Sequence, residues 1–197
     1  MDHPIQCTCG ALKGVLKKTG REIRCVCYCK DCQAFAHFLK SAETVLDVAG
    51  GTEIIQTSPQ NLTFTDGIKH LACMRLSEKG MVRWYASCCN TPIGNTTASG
   101  KIAFVGLIHN SLESDGRSLA NAFGPITTVF NGQSAVGEVK PKTVGAVMAI
   151  TRVVSMIVKA RLSGRYKQTP FFDSVTDMPV VAPTILSADE RQLLATH

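Results

Sequence analysis

From Gly10 to about Ile108 the chain alternates short apolar-rich runs with turn-forming residues, a pattern that predicts strands rather than long helices. The predicted β segments are Ala11 to Lys17, Glu22 to Tyr28, Thr52 to Thr57, Leu62 to Thr65, Leu71 to Ser77, Met81 to Ala86 and Ile102 to Ile108. Thr19-Gly20, Gly50-Gly51, Ser58-Pro59, Asp66-Gly67, Lys79-Gly80 and Ser99-Gly100 mark the turns between them. Many short strands at this spacing suggest a mainly β fold, a sandwich or barrel, rather than a parallel sheet with crossover helices. One short helix is expected in this region, from Asp31 to Leu39.

After Asn110 the pattern changes. Residues 141 to 164 predict a long helix, with Pro141 suited to its first turn and Gly164 to its stop. Val144, Val147, Met148, Thr151, Val154, Ile157, Val158 and Leu162 follow helical spacing, and Arg152, Ser155 and Lys159 gather on the other side. So broad an apolar face predicts burial against the β region or against a second subunit, which makes a homodimer one expected outcome. Arg152 interrupts the apolar run and Lys159 closes it, well short of the about 20 residues a membrane span needs. Further on, Pro170-Phe171-Phe172-Asp173 and a proline-punctuated extended stretch lead to Ser187-Ala188-Asp189-Glu190. That last run fits a capping box and predicts a terminal helix from Ala188 to Ala195.

A chain of 197 residues suits one domain, or one domain with a sizeable extension, and buries its own core without needing disulfides. The division expected is a β domain over residues 1–110 and a C-terminal extension over 111–197. The opening MDHPIQCTC lacks the basic and apolar regions of an export signal, so a cytoplasmic protein is expected. The formal charge is +6. If seven thiolates hold two Zn²⁺ ions this falls to roughly +3. The basic residues are scattered, with Lys17-Lys18 the one adjacent pair, which argues against a nucleic-acid partner, and no membrane partner is expected.

The chemistry lies in the nine cysteines, seven of which fall in Cys7-Thr8-Cys9, Cys27-Tyr28-Cys29-Lys30-Asp31-Cys32 and Cys88-Cys89. Sulfurs separated by one or two residues can reach a single tetrahedral ion, so these pieces read as zinc ligands, for one or two ions. Thiol redox chemistry is the alternative, and it predicts metal-free pairs within disulfide reach. Cys25 and Cys73 read as small buried residues.

The order of these motifs resembles the family of glutathione-dependent formaldehyde-activating enzymes and centromere protein V. Cys7-Thr8-Cys9-Gly10, Cys27-Tyr28-Cys29-Lys30-Asp31-Cys32-Gln33 and Cys89-Asn90-Thr91-Pro92 carry the likeness, from the N-terminus to about residue 110. The resemblance implies a zinc-bound β-tent fold with two metal sites. By that likeness Cys7, Cys9 and Cys89 belong to a closed structural site, and Cys27, Cys29 and Cys32 hold a catalytic ion with one open position. It further implies a carbon–sulfur lyase-like activity on a glutathione-type thiol adduct of a small carbonyl compound. The other function carried forward is a non-catalytic zinc-stabilised module for binding or dimerisation.

Here the chain departs from the family pattern, because Ala86 stands three residues before Cys89 and the late pair is adjacent. Side chains of consecutive strand residues point to opposite faces, so Cys88 can serve as fourth ligand only if the backbone bends there. The other residues to check are His3, Cys25 and Cys73. Asp31 and His37 are the candidates for proton transfer beside the second site. Arg83-Trp84-Tyr85 is either a pocket wall near the late cysteines, with Arg83 suited to a ligand carboxylate, or an edge strand with a snorkelling arginine. Loops at His109-Asn110, Asn121 and Asn131-Gly132-Gln133 are further candidates for framing a substrate.

Overall fold

The computed structural model describes residues 2–113, 118–140 and 143–195, with the side chains of residues 143, 144 and 195 left aside. Eleven strands and five α-helices are found among them. In chain order these are β1 (Asp2–Gln6), β2 (Lys13–Lys17), β3 (Ile23–Cys27), α1 (Lys30–Phe38), α2 (Ala42–Val45), β4 (Thr52–Thr57), β5 (Leu62–Asp66), β6 (Leu71–Arg75), β7 (Val82–Ala86), β8 (Thr91–Thr96), β9 (Val105–Ile108), α3 (Leu119–Phe123), β10 (Thr128–Phe130), α4 (Thr143–Leu162), β11 (Thr184–Ile185) and α5 (Ala188–Ala195). The fold is mainly β, as the alternation predicts.

Two sheets form. One has the order β1-β2-β5, and the other runs β10-β3-β4-β9-β8-β7-β6-β11. All pairings are antiparallel except at the edges of the large sheet, where β10 lies parallel to β3 and β11 parallel to β6. Both of these edge strands come from the C-terminal extension, which is thereby built into the sheet.

Strand alternation sorts the side chains of the large sheet into two cores. On one face Ile55, Cys73, Val82, Trp84, Ala86, Val105 and Leu107 meet Ile5 and Leu16 of the small sheet. Phe171 and Phe172 complete this core, their rings 4.8 and 6.0 Å from Trp84. On the opposite face Met74 and Ile108 pack under α1, against Phe35, Ala36 and Leu39. Leu186 and Leu194 of the tail close over the same cluster.

The long helix settles one of the two alternatives within this chain. Val147, Met148, Val154, Val158 and Leu162 do not pack on the β region but are exposed, as is Ile150. The side turned to the sheet carries Ala149 and Ala160, both buried, with Val153 and Met156 half-buried. Small residues permit close approach, and that decides which side packs. At Gly145 any Cβ would collide with the carbonyl oxygen of Thr127, at the entry to β10. Gly164 ends the helix region in a left-handed conformation (φ 72°). Pro141 lies outside the described residues. The capping box forms as expected: Ser187 N–H donates to Glu190 at 2.8 Å, and the amide of Glu190 donates back to Ser187 Oγ at 3.3 Å.

Candidate metal centres

The first cluster is assembled by two hairpin turns. Between β1 and β2 the amide of Gly10 donates to the carbonyl of Cys7 (2.9 Å), and Gly10 takes a left-handed conformation (φ 75°) that folds Cys7 and Cys9 toward each other. Between β7 and β8 residues 87–90 form a turn, with Asn90 also left-handed (φ 55°). This turn answers the question of the adjacent pair, because Cys88 and Cys89 do not sit on a strand and need not point to opposite faces.

The sulfurs of Cys7, Cys9, Cys88 and Cys89 all lie within 4.8 Å of one another. Neighbouring separations are 3.6 Å for Cys7–Cys9, 3.8 Å for Cys7–Cys88, 3.3 Å for Cys9–Cys88 and 3.8 Å for Cys88–Cys89. A tetrahedral ion with thiolate bonds of about 2.3 Å has sulfurs about 3.8 Å apart, so the four fit the edges of such a site. Disulfide bonding at about 2.05 Å is not what these distances describe. All nine cysteines are free.

Threonines brace this centre. Thr91 Oγ1 stands 3.0 Å from Cys89 Sγ and accepts the amide of Thr8 at 2.9 Å, and the amide of Leu12 donates to Cys7 Sγ at 3.2 Å. Burial pushes the Cys89 thiol up, but hydrogen bonds from Thr8 and Thr91 outweigh it and bring the thiol down to about 5. A sulfur held as thiolate is the form a metal binds.

The other residues considered as fourth ligand are engaged elsewhere. His3 is buried, with Nε2 2.7 Å from the carbonyl oxygen of Leu112. Cys25 and Cys73 donate to the carbonyls of Ile54 (3.5 Å) and Val181 (3.2 Å). Both are core thiols, as the sequence predicts.

The second cluster joins the end of β3 to the start of α1. Cys27 closes the strand, Cys29 is the N-cap of the helix, and Cys32 lies in its first turn. The amide of Cys32 donates to Cys29 Sγ at 3.4 Å, so a sulfur here does the work a serine or aspartate does at most N-caps. Three sulfurs meet, again within 4.8 Å of one another, with Cys32 buried and the other two partly open. No fourth His, Cys, Asp or Glu among the described residues joins them.

Hydrogen bonds from the thiols of Cys29 and Cys32 bring Cys27 down to about 2, while the same bonds push Cys29 and Cys32 up. Asn131 adds a longer contact, with Nδ2 3.6 Å from Cys27 Sγ. The loop is fixed by Gln33, whose Nε2 donates to the carbonyls of Tyr28 (2.9 Å) and Ser134 (3.2 Å).

The predicted pocket wall is taken apart by strand alternation. Trp84 is fully buried and donates Nε1–H to Thr96 Oγ1 at 2.9 Å. Arg83 points to the other face, is 2% exposed, and donates to Asn95 at 3.2 Å while lying 3.6 Å from Asp31. It therefore has no free face for a ligand carboxylate, and it stands under the second cluster, where its charge acts on Cys32. Asp31 also meets Arg191 at 3.9 Å. His37 occupies the last turn of α1 and is not among the groups that meet at the sulfurs.

Of the candidate loops, His109 and Asn110 both reach the carbonyl of Thr44 and tether α2, at 3.3 and 2.9 Å. Asn121 lies within α3, and only Asn131 touches a cluster. The bracing threonines and the place of Arg83 were not anticipated. Thr91, two residues after Cys89, is the signal that was available for the former.

No helix among the described residues is long and apolar enough to cross a membrane. A comparison with curated proteins finds no match. Among solved structures, a crystal structure of a Rhodobacter sphaeroides protein is similar at 14% identity and a TM-score of 0.41, covering 65% of this chain and 99% of that one. A family match spans nearly all of both sheets and both cysteine clusters: over residues 2–182 the chain belongs to the family of unknown function DUF6151.

Proposed function

We propose that the protein is a zinc-dependent carbon–sulfur lyase-like enzyme that acts on the adduct of a glutathione-type thiol with a small carbonyl compound. The observation that carries this reading is the difference between the clusters: four sulfurs converge at one and three at the other. Four thiolates close a tetrahedral site and make metal binding a source of folding energy, whereas three leave a position for substrate. In this reading the ions are zinc, the sheets form a β-tent, and the protein is a relative of the formaldehyde-activating and centromere protein V group working in the reducing cytoplasm.

Zinc held by Cys27, Cys29 and Cys32 would supply a soft, Lewis-acidic position suited to a substrate thiolate. The chain's own share is positional. The helix N-terminus at Cys29 and the Asn131 amide offset negative charge on the sulfurs, and Gln33 holds the loop that carries them. Asp31 is the nearer candidate for moving a proton, partly exposed beside the cluster and oriented by Arg83.

The test is exchange of ¹³C-formaldehyde with its glutathione adduct, followed by NMR, in the presence of the zinc-loaded protein. Accelerated exchange that disappears in Cys29→Ser, together with loss of one zinc equivalent and a retained fold, supports the enzyme reading. Exchange no faster than in buffer rejects it.

The exposed apolar side of α4 favours a second reading, a zinc-stabilised module that pairs with another copy of itself. Light scattering would then give a dimer that Val154→Glu converts to a monomer.

A further inference from the structure

We propose that the cleft between α4 and the β3–β4 end of the large sheet is a binding site for a small, non-aromatic organic anion carrying at least two carboxylate or phosphate charges. The cleft encloses about 780 Å³. That falls within the roughly 300–1,000 Å³ of small-molecule sites and exceeds what an inorganic ion would fill.

Four cations from three separate segments converge on it: Arg21 from the β2–β3 loop, Arg152 and Lys159 from α4, and Arg165 from the turn that follows. Among the described residues no carboxylate lines the cleft, and none of the four cations forms an ion pair with another of them. The neighbouring acid, Glu22, is spent on its own turn, accepting from Thr19 N–H, Thr19 Oγ1 and Gly20 N–H at 2.7, 2.8 and 3.0 Å. Like charges gathered around a concave, partly apolar surface focus a positive potential that a bound anion relieves.

The wall also holds a polar group without a partner. Ser58 is 1% exposed and its Oγ has no hydrogen bond, so its hydroxyl is a donor free for an anionic oxygen or a bridging water. Ile23, Val153 and Met156 provide an apolar surface for a carbon skeleton. The absence of any aromatic side chain in the lining removes the stacking platform a nucleobase would use.

This site is separate from the cysteine clusters. Ile23 pairs with Gln56 at one end of the β3–β4 ladder and Cys27 with Thr52 at the other. Four strand residues span roughly 13 Å.

Calorimetric titration of the full chain at low ionic strength tests the assignment, with citrate as the polycarboxylate probe, glucose 6-phosphate as the organic phosphate, and glucose as the neutral control. The expected result is one-to-one binding of citrate, glucose 6-phosphate or both, none of glucose, and a roughly tenfold or greater loss of affinity in Arg152→Ala/Lys159→Ala. Arg161→Ala removes an equal type of charge from the same helix, but one that stacks on Tyr166 and does not line the cleft, so it should leave binding unchanged. If citrate alone binds, the natural ligand is a carboxylate, and if glucose 6-phosphate alone binds, it is a phosphate. Failure of both probes to bind, or an Arg161→Ala effect as large as that of the double variant, overturns the proposal.

Discussion

The guanidinium of Arg83 lies 3.6 Å from the carboxylate of Asp31 and so ties the large sheet to the first turn of the helix that carries Cys32. The two ends of this pair differ in environment, since the Arg83 side chain is 3% exposed and that of Asp31 48%. Loss of the carboxylate leaves a buried cation with Asn95 and the Phe35 ring as its remaining partners. For a fully buried pair this costs about 3–5 kcal/mol, and the exposure of Asp31 reduces it to about 1–2 kcal/mol. Urea unfolding of Asp31→Asn measures the cost. The variant should keep its full metal content, because Asp31 does not belong to the ligand set.

Phe171, fully buried against Trp84 and Phe64, places part of the C-terminal extension in the main core. Phe171→Ala should therefore destabilise the whole chain by about 3–5 kcal/mol, seen as one cooperative transition at lower denaturant. A separate, early transition confined to the extension would mean that the extension folds apart from the sheets.

Cys73 provides a pH test away from the metal ligands. Burial pushes its thiol up to about 11 from an ordinary value of 9.0. The unfolded chain thus loses this proton first as the pH rises. Stability from the neutral thiol is complete below about pH 9 and declines between about pH 9 and pH 11. Cys73→Ala should flatten that part of the stability profile. Native alkylation of Cys73, followed by mass spectrometry, should inflect near pH 11 and not near 9.

Ligand and non-ligand cysteines should separate cleanly in metal assays. Cys88→Ser removes one of four converging sulfurs and is expected to weaken metal uptake at the first cluster and lower the unfolding temperature, since a metal held by four thiolates would be coupled to folding. Cys25→Ala removes a thiol bonded to Ile54 and should leave the metal content unchanged.

Short apolar runs bounded by turn residues were enough to find seven of the strands. β1 lies ahead of the stretch that shows this pattern, and β8 was missed because Pro92 and Gly94 within it read as turn residues, although Thr91 to Thr96 are buried along their whole length. Pro92 is accommodated where β8 has yet to pair with β9. β10 and β11 are three and two residues long and leave no periodic trace. The helical period of α4 was legible, yet the side that packs was not, because close approach through Gly145, Ala149 and Ala160 decided it and hydrophobicity did not.

For the cysteines, spacing brought out both clusters, including the three sulfurs of the second. Cys88 stayed ambiguous because the turn at residues 87–90 depends on a left-handed Asn90, which adjacent cysteines do not announce. Arg83 was misjudged for a related reason. A residue's neighbours in sequence lie on opposite faces of a strand, and only the fold shows which face meets α1.

X-ray absorption at the zinc edge, combined with elemental analysis of protein purified under reducing conditions, bears most directly on the difference between the two clusters. Two zinc ions per chain with an average of about 3.5 sulfurs and about 0.5 oxygen or nitrogen ligands per ion is the predicted result. Four sulfurs at every zinc, a single ion, or sulfur–sulfur bonds in place of metal would contradict it.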